Sequence, residues 1–104
     1  YKRQVRMDVP EEQSGELVRW HREEHIPLMM AVRGVVTARL CRLTAKHPTS
    51  PFNEPGWISI YELENADVVR EAGVKAANET EWAKNVHAFT TDVRFNLMER
   101  IEPL

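Results

Sequence analysis

Between Arg3 and Val9 apolar and polar residues alternate. Val5, Met7 and Val9 fall on one side and Gln4, Arg6 and Asp8 on the other, the period of a strand with one greasy face. Pro10 ends the run. The period then changes to that of a helix from Ser14 to Val32, with Glu11, Glu12 and Glu16 near the positive end of its dipole and Gly34 placed as a left-handed stop. From Val35 to Thr44 apolar and β-branched residues occupy both parities, which predicts a strand covered on both faces. Lys46 to Gly56 holds Pro48, Pro51 and Pro55 and is expected as a loop. Trp57 to Leu63 is again strand-like, with Trp57, Tyr61 and Leu63 on one side and Ile58 and Ile60 on the other. Asn65 is placed to cap a helix through Ala77 with a stripe of Val69, Ala72 and Ala76, and Thr80 to cap a shorter helix holding Trp82 and Val86. Phe89 to Ile101 returns to strand spacing, with Phe89, Val93, Phe95 and Leu97 on one parity.

Strand, helix, strand, strand, helix, strand is the order of a split βαβ unit. It predicts an α+β fold of ferredoxin-like βαββαβ type, an antiparallel sheet with both helices on one face. The open face, expected to carry Arg6, Tyr61 and some β-branched residues, is neither cleanly polar nor cleanly apolar, and a second sheet is the natural cover for it. The 104 residues make one domain, 1–104, whose core is modest for its surface, so a homodimer is expected.

Charge narrows the partners. Fourteen Lys and Arg against sixteen Asp and Glu give a net charge of −2 spread along the chain, with no basic stripe to neutralise phosphates, which argues against nucleic acid. The one cysteine, Cys41, excludes an intrachain disulfide framework and a cysteine-based zinc site, and reads as a small core residue of a reducing compartment. The longest apolar run, Ile26 to Val32, is interrupted by Pro27 and is too short to span a bilayer. With nothing at the amino end resembling a signal peptide, the cytoplasm is the expected location.

The first helix contains the main irregularity. At about 100° per residue, Leu17, Val18, Trp20, Leu28 and Val32 form an apolar arc, and His21, Glu24 and His25 fall inside it. Burying groups that titrate is costly unless hydrogen bonds or function offset it, so these three are candidates either for structural hydrogen bonding or for acid–base work. Pro27, two residues after His25, removes a donor and loosens the helix, giving His25 a reason to project into a cavity as a general base titrating near working pH. His21-Arg22-Glu23-Glu24-His25 also reads H-x-x-E-H, a zinc signature in which both histidines share a helix face, Glu24 is the base and a distant carboxylate such as Glu99 completes the ligands. That motif has only three fixed letters, and the chain is short for such a cleft.

The string Trp20-His21-Arg22-Glu23-Glu24-His25-Ile26-Pro27-Leu28, followed by Val32-Arg33-Gly34-Val35, resembles the W-x-x-E-E-H-I-P…V-P-G-V signature of EthD-like proteins in the dimeric α-β barrel superfamily. Trp57 to Leu63 is similar to the family's third strand, and the likeness runs on through Trp82 to the closing strand. Arg33 departs from the usual proline, and the loop from His47 to Gly56 fits no family pattern. The resemblance implies a ferredoxin-like protomer paired sheet to sheet with a second copy, and a pocket between each sheet and its own helices. It implies relatives that are lactone isomerases, polyketide cyclases, dehydratases, decarboxylases or cofactor-free monooxygenases. It also implies that His25, with Glu24 beside it, is the functional histidine. His21 stands where the family often has tyrosine.

Tyr61 is a candidate hydrogen-bond donor to a ligand carbonyl, and Arg6 and Arg39 are candidates to hold a carboxylate or enolate. Trp20, Trp57 and Trp82 read as core anchors, with Trp20 also a candidate ligand contact. His47 is expected in an exposed loop and His87 at a helix end. The expected function is cofactor-free proton transfer, as an isomerase, cyclase or lyase, on a small aromatic, polyketide-like or lactone metabolite. A non-catalytic dimer that binds a metabolite or partner is the alternative, and zinc binding the third reading.

Overall fold

Strand periodicity in the first residues does produce a strand, β1 (Lys2–Asp8), and three more follow: β2 (Val35–Arg42), β3 (Trp57–Leu63) and β4 (Thr91–Met98). The computed structural model describes residues 1–45, 49 and 55–101. The strands form one antiparallel sheet in the order β2-β3-β1-β4, so the two strands nearest in sequence to the termini pair with each other in the centre and at one edge. This is the ferredoxin-like α+β arrangement. The helices α1 (Ser14–Trp20), α2 (Ile26–Met30), α3 (Ala72–Ala77) and α4 (Glu81–His87) cover one face, and the molecule is 17 Å across its thinnest dimension, the depth of one sheet and one helix layer. No helix among the described residues is long and apolar enough to cross a membrane.

Cross-strand pairing decides which residues meet the helices. Val5 lies between Ser59 and Phe95, Met7 opposite Trp57, and Tyr61 between Arg3 and Ala38. Because paired residues share a face, Arg3, Val5, Met7, Ser59, Tyr61 and Phe95 look toward the helices. Tyr61, expected on the open face, is 3 % exposed beneath them. The open face instead carries Arg6 with Ile58 and Arg94, and Arg39 with Ile60. Cys41, expected in the core, pairs with Ile58 on that same face and is exposed. A register shift between Val35 and Thr37 explains the mixed parity of β2.

Two apolar clusters fill the space between the layers. One gathers Met29, Val32, Val35, Leu63, Val68 and Val74 around Tyr61. The other gathers Met7, Leu17, Ala83 and Val86 around Trp20. The helix ends at Met30, short of the expected Val32, with Ala31 as its C-cap. Gly34 is left-handed as the sequence predicts, at φ 92°, in the turn into β2, and a Cβ there would lie 2.5 Å from Val68 Cγ2.

The second helical region differs from its expectation. Asn65 does cap, accepting from the Asp67 N–H at 3.0 Å, but what it starts is a 3-10 turn over Ala66–Arg70. Glu71 is extended, and α3 begins after it. The buried residues are Val68, Val74 and Ala77 in place of Val69, Ala72 and Ala76. In one continuous helix Val68 and Val74 would point about 120° apart, and the break at Glu71 lets both reach the core. Thr80 caps α4 as predicted, accepting from Ala83 N–H at 3.0 Å. The final strand is shorter than its apolar run, and Phe89 precedes it. Most of the proline-rich loop, including His47, lies outside the described residues.

Candidate functional site

Pro27 sets the site up. It has no N–H for the Glu23 carbonyl, and its ring would press on that carbonyl in a regular helix. The chain responds by widening: the Ile26 N–H bonds to the carbonyl of His21, five residues back, and His21–His25 form a π turn between α1 and α2. Both histidines then face β3, with ring centroids 5.1 Å apart and exposures of only 1 % and 4 %.

Their partners form a chain of four side chains. His21 Nε2 is 2.7 Å from Ser59 Oγ, Ser59 Oγ 2.6 Å from the Tyr61 hydroxyl, and that hydroxyl 2.7 Å from His25 Nε2. Each hydroxyl has one proton to give, so one link determines the direction of the whole chain. Ser59 Oγ donates to the Tyr61 hydroxyl, which leaves the Tyr61 proton for His25 Nε2. The Ala77 backbone favours the protonated His25 imidazole, whose Nδ1 has no hydrogen-bond partner among the described residues. With Nε2 of His25 as the acceptor, its ring proton is on Nδ1, and His21 Nε2–H donates to Ser59. The Nδ1 of His21 is left buried with no hydrogen-bond partner among the described residues.

Burial sets the charge states. Desolvation pulls His21 down to about 4. Desolvation, and then the neighbouring His21, pull His25 down to about 3. The Tyr61 hydroxyl is pushed up to about 12 by burial, against the pull of its Ser59 hydrogen bond. All three are neutral at pH 7, so His25 does not titrate near working pH as the sequence suggests. An apolar environment on every side is what the helical spacing cannot convey.

Trp20 stacks on His25 at 4.5 Å with its ring tilted by 28°, and meets His21 and His87 edge-on at 5.8 and 5.7 Å. Glu24 holds the indole in place, accepting from Trp20 Nε1 at 2.9 Å and from Thr80 Oγ1 at 2.7 Å. This carboxylate ties the first helix to the start of α4 and does not line the cavity. Its expected role beside His25 is therefore replaced by one behind Trp20.

The cavity, about 520 Å³, opens between the sheet and the helices. Trp20, His21, His25, Ser59 and Tyr61 supply its polar and aromatic inner wall. Arg3 from β1, Val93 and Phe95 from the edge strand β4, Lys75 and His87 from α3 and α4, and Glu79 from the turn between them are also in the wall. Of the residues expected to bind ligand, Trp20 and Tyr61 are in this wall. Arg6 and Arg39 are on the opposite face of the sheet, Arg39 exposed and 3.4 Å from Glu62 Oε1. Parity with Val5 and Met7 marks Arg3, not Arg6, as the inward arginine. Ser59 was legible by the same signal, a hydroxyl on the apolar side of β3 between Trp57 and Tyr61. His87 reaches the cavity because α4 packs beside α1, a contact between elements far apart in the chain.

The zinc reading does not fit these positions. The Nε2 atoms of both histidines are engaged by hydroxyls, Glu24 is turned to Thr80, and among the described residues no three His, Cys, Asp or Glu side chains are grouped as a metal needs.

No family model matches the chain, and no curated protein matches it. Solved structures do. A point variant of SnoaB, a cofactor-independent oxygenase from Streptomyces nogalater, is 16 % identical over 99 % of this chain and 94 % of its own, with a TM-score of 0.66. A dimeric ferredoxin-like protein from an uncultured marine organism is 11 % identical over 98 % of this chain and 91 % of its own, TM-score 0.63. An EthD family protein from Bacillus halodurans is 10 % identical over 94 % of this chain and 98 % of its own, TM-score 0.52. At such identities the common property is the fold. The chain has the fold found in EthD-like and dimeric ferredoxin-like proteins, in agreement with the resemblance read from its first helix.

Proposed function

We propose that the protein binds a small aromatic, polyketide-like or lactone metabolite in the cavity between sheet and helices, and moves a proton on it without a cofactor. The observation that carries this reading is the continuous hydrogen-bonded chain His21–Ser59–Tyr61–His25 in the cavity wall. A ligand carbonyl that takes over the hydrogen bond of Tyr61 frees the Nε2 lone pair of His25. The same exchange puts a donor on the oxygen where charge develops as His25 removes a proton from the adjacent carbon. Returning that proton elsewhere on the ligand gives an isomerase, cyclase or lyase. A cofactor-independent oxygenation, as named for SnoaB, would need dioxygen to oxidise the carbanion that the same proton removal leaves.

The protein acts in this reading as a homodimer in a reducing, cytoplasmic setting. Ile58 and Ile60 on the bare sheet face are apolar surface that a second copy would cover. The named dimeric neighbour supports this arrangement.

Deuterium uptake tests the chemistry. With a panel of lactones and polyketide-like aromatics in D2O, the native protein is expected to exchange a hydrogen next to a carbonyl of at least one, and His25→Ala to lose that exchange by about 100-fold or more. Exchange that His25→Ala leaves unchanged would remove His25 as the base. Binding without any exchange would favour the second reading, a non-catalytic metabolite-binding dimer. The weak basicity of both buried histidines supports that second reading.

A further inference from the structure

Arg3 is the arginine that lines the cavity. Arg19, Arg39, Arg70 and Arg94 each lie 3.1–3.6 Å from a carboxylate. No carboxylate pairs with Arg3 among the described residues; its contact is the Phe95 ring, 5.5 Å from the guanidinium carbon. The other charged groups of the wall cancel, since Lys75 Nζ is 3.9 Å from Glu79 Oε1. With His21 and His25 neutral and burial disfavouring the charged form of His87, the unbalanced positive charge of the wall is that of Arg3. The Phe95 face orients a planar fork of donors that matches a carboxylate in two hydrogen bonds.

We propose that Arg3 anchors a carboxylate of the ligand, so that the cavity selects aromatic or lactone acids over their neutral analogues. The assignment rests on the cavity being a ligand site and is independent of whether proton transfer follows. An acid bound this way has its charged end at β1 and β4 and its ring against Trp20 and Tyr61, within reach of the hydroxyl–imidazole chain. This orientation gives the otherwise unmatched cation a function in recognition, while Lys75, already neutralised, has none.

A matched pair of probes separates the possibilities. 2-Naphthoate and 2-naphthamide share a shape and differ in charge, and their binding is read by calorimetry at low ionic strength. The acid is expected to bind the native protein about tenfold or more tightly than the amide, the size of effect a charge-assisted hydrogen bond supports. Arg3→Gln is expected to reduce the acid to the affinity of the amide and leave the amide unchanged. Arg3→Lys should keep part of the preference, which guards against a folding defect in the glutamine variant, and Lys75→Gln should keep all of it. Equal affinities in the native protein, or a preference that survives Arg3→Gln, overturns the role of Arg3 while leaving the cavity as a ligand site. Failure of both probes to bind overturns the cavity reading and this assignment with it.

Discussion

The two buried imidazoles make stability depend on pH in a direction that follows from their shifts. Free histidine titrates near 6.5, whereas His21 and His25 are held down to about 4 and about 3 by burial. The unfolded chain therefore binds protons that the folded chain refuses, and stability is complete above about pH 6.5 and falls as the pH drops toward the folded values. At pH 5 the loss is about 2 kcal/mol for each histidine, a large share of the ~5–15 kcal/mol that holds a small domain together. Thermal unfolding followed by circular dichroism is expected to show a marked fall in Tm from pH 7 to pH 5, reduced in His21→Gln. A flat Tm over that range would contradict the burial of the pair. At this scale the histidines themselves were visible in the sequence, because titratable groups inside an apolar helical arc stand out. Their protonation was not, since it depends on what β3 and Ala77, more than thirty residues away, place around them.

Proline acts at the level of the element. The sequence marks position 27 as a disturbance of the helix, and the structure turns that disturbance into a widened turn that faces two histidines to the same strand. Pro27→Ala is expected to let the helix regularise and to raise thermal stability, by up to the ~3 kcal/mol that proline costs within a helix. The price of that gain should be a broken chain to Ser59 and Tyr61, visible as shifted imidazole nitrogen resonances of His21 and His25. Unchanged resonances would mean that packing, not the proline, maintains the π turn. Element limits elsewhere show the same division. The caps at Asn65 and Thr80 are written locally and are found where expected. The break at Glu71 is not written locally, because it answers to the core positions of Val68 and Val74.

For the whole molecule the expectation is association. One face of a four-stranded sheet is bare of helices, and β4 exposes Val93, Phe95 and Leu97 beyond their cover. Sedimentation equilibrium should report twice the 12.1 kDa chain mass, and Ile60→Arg, on the bare face, should shift the equilibrium toward the single chain. A single-chain mass for the native protein at micromolar concentration would rule out sheet pairing as its resting state. Periodicity was enough to establish element type, order and the ferredoxin-like class, because side-chain spacing of two or near four is a local property and the greasy side of each element must be buried. Periodicity also singled out His21, His25 and the proline after them. Parity with Val5 and Met7 likewise marked Arg3 as the inward cation, but periodicity could not place Tyr61 beneath the helices or Glu24 behind Trp20. Those outcomes depend on strand register and on the packing of helices far apart in sequence, where a shift of one residue exchanges the two faces of the sheet. The site exists because non-local pairing puts Ser59 and Tyr61 opposite a turn that the sequence had only marked as irregular.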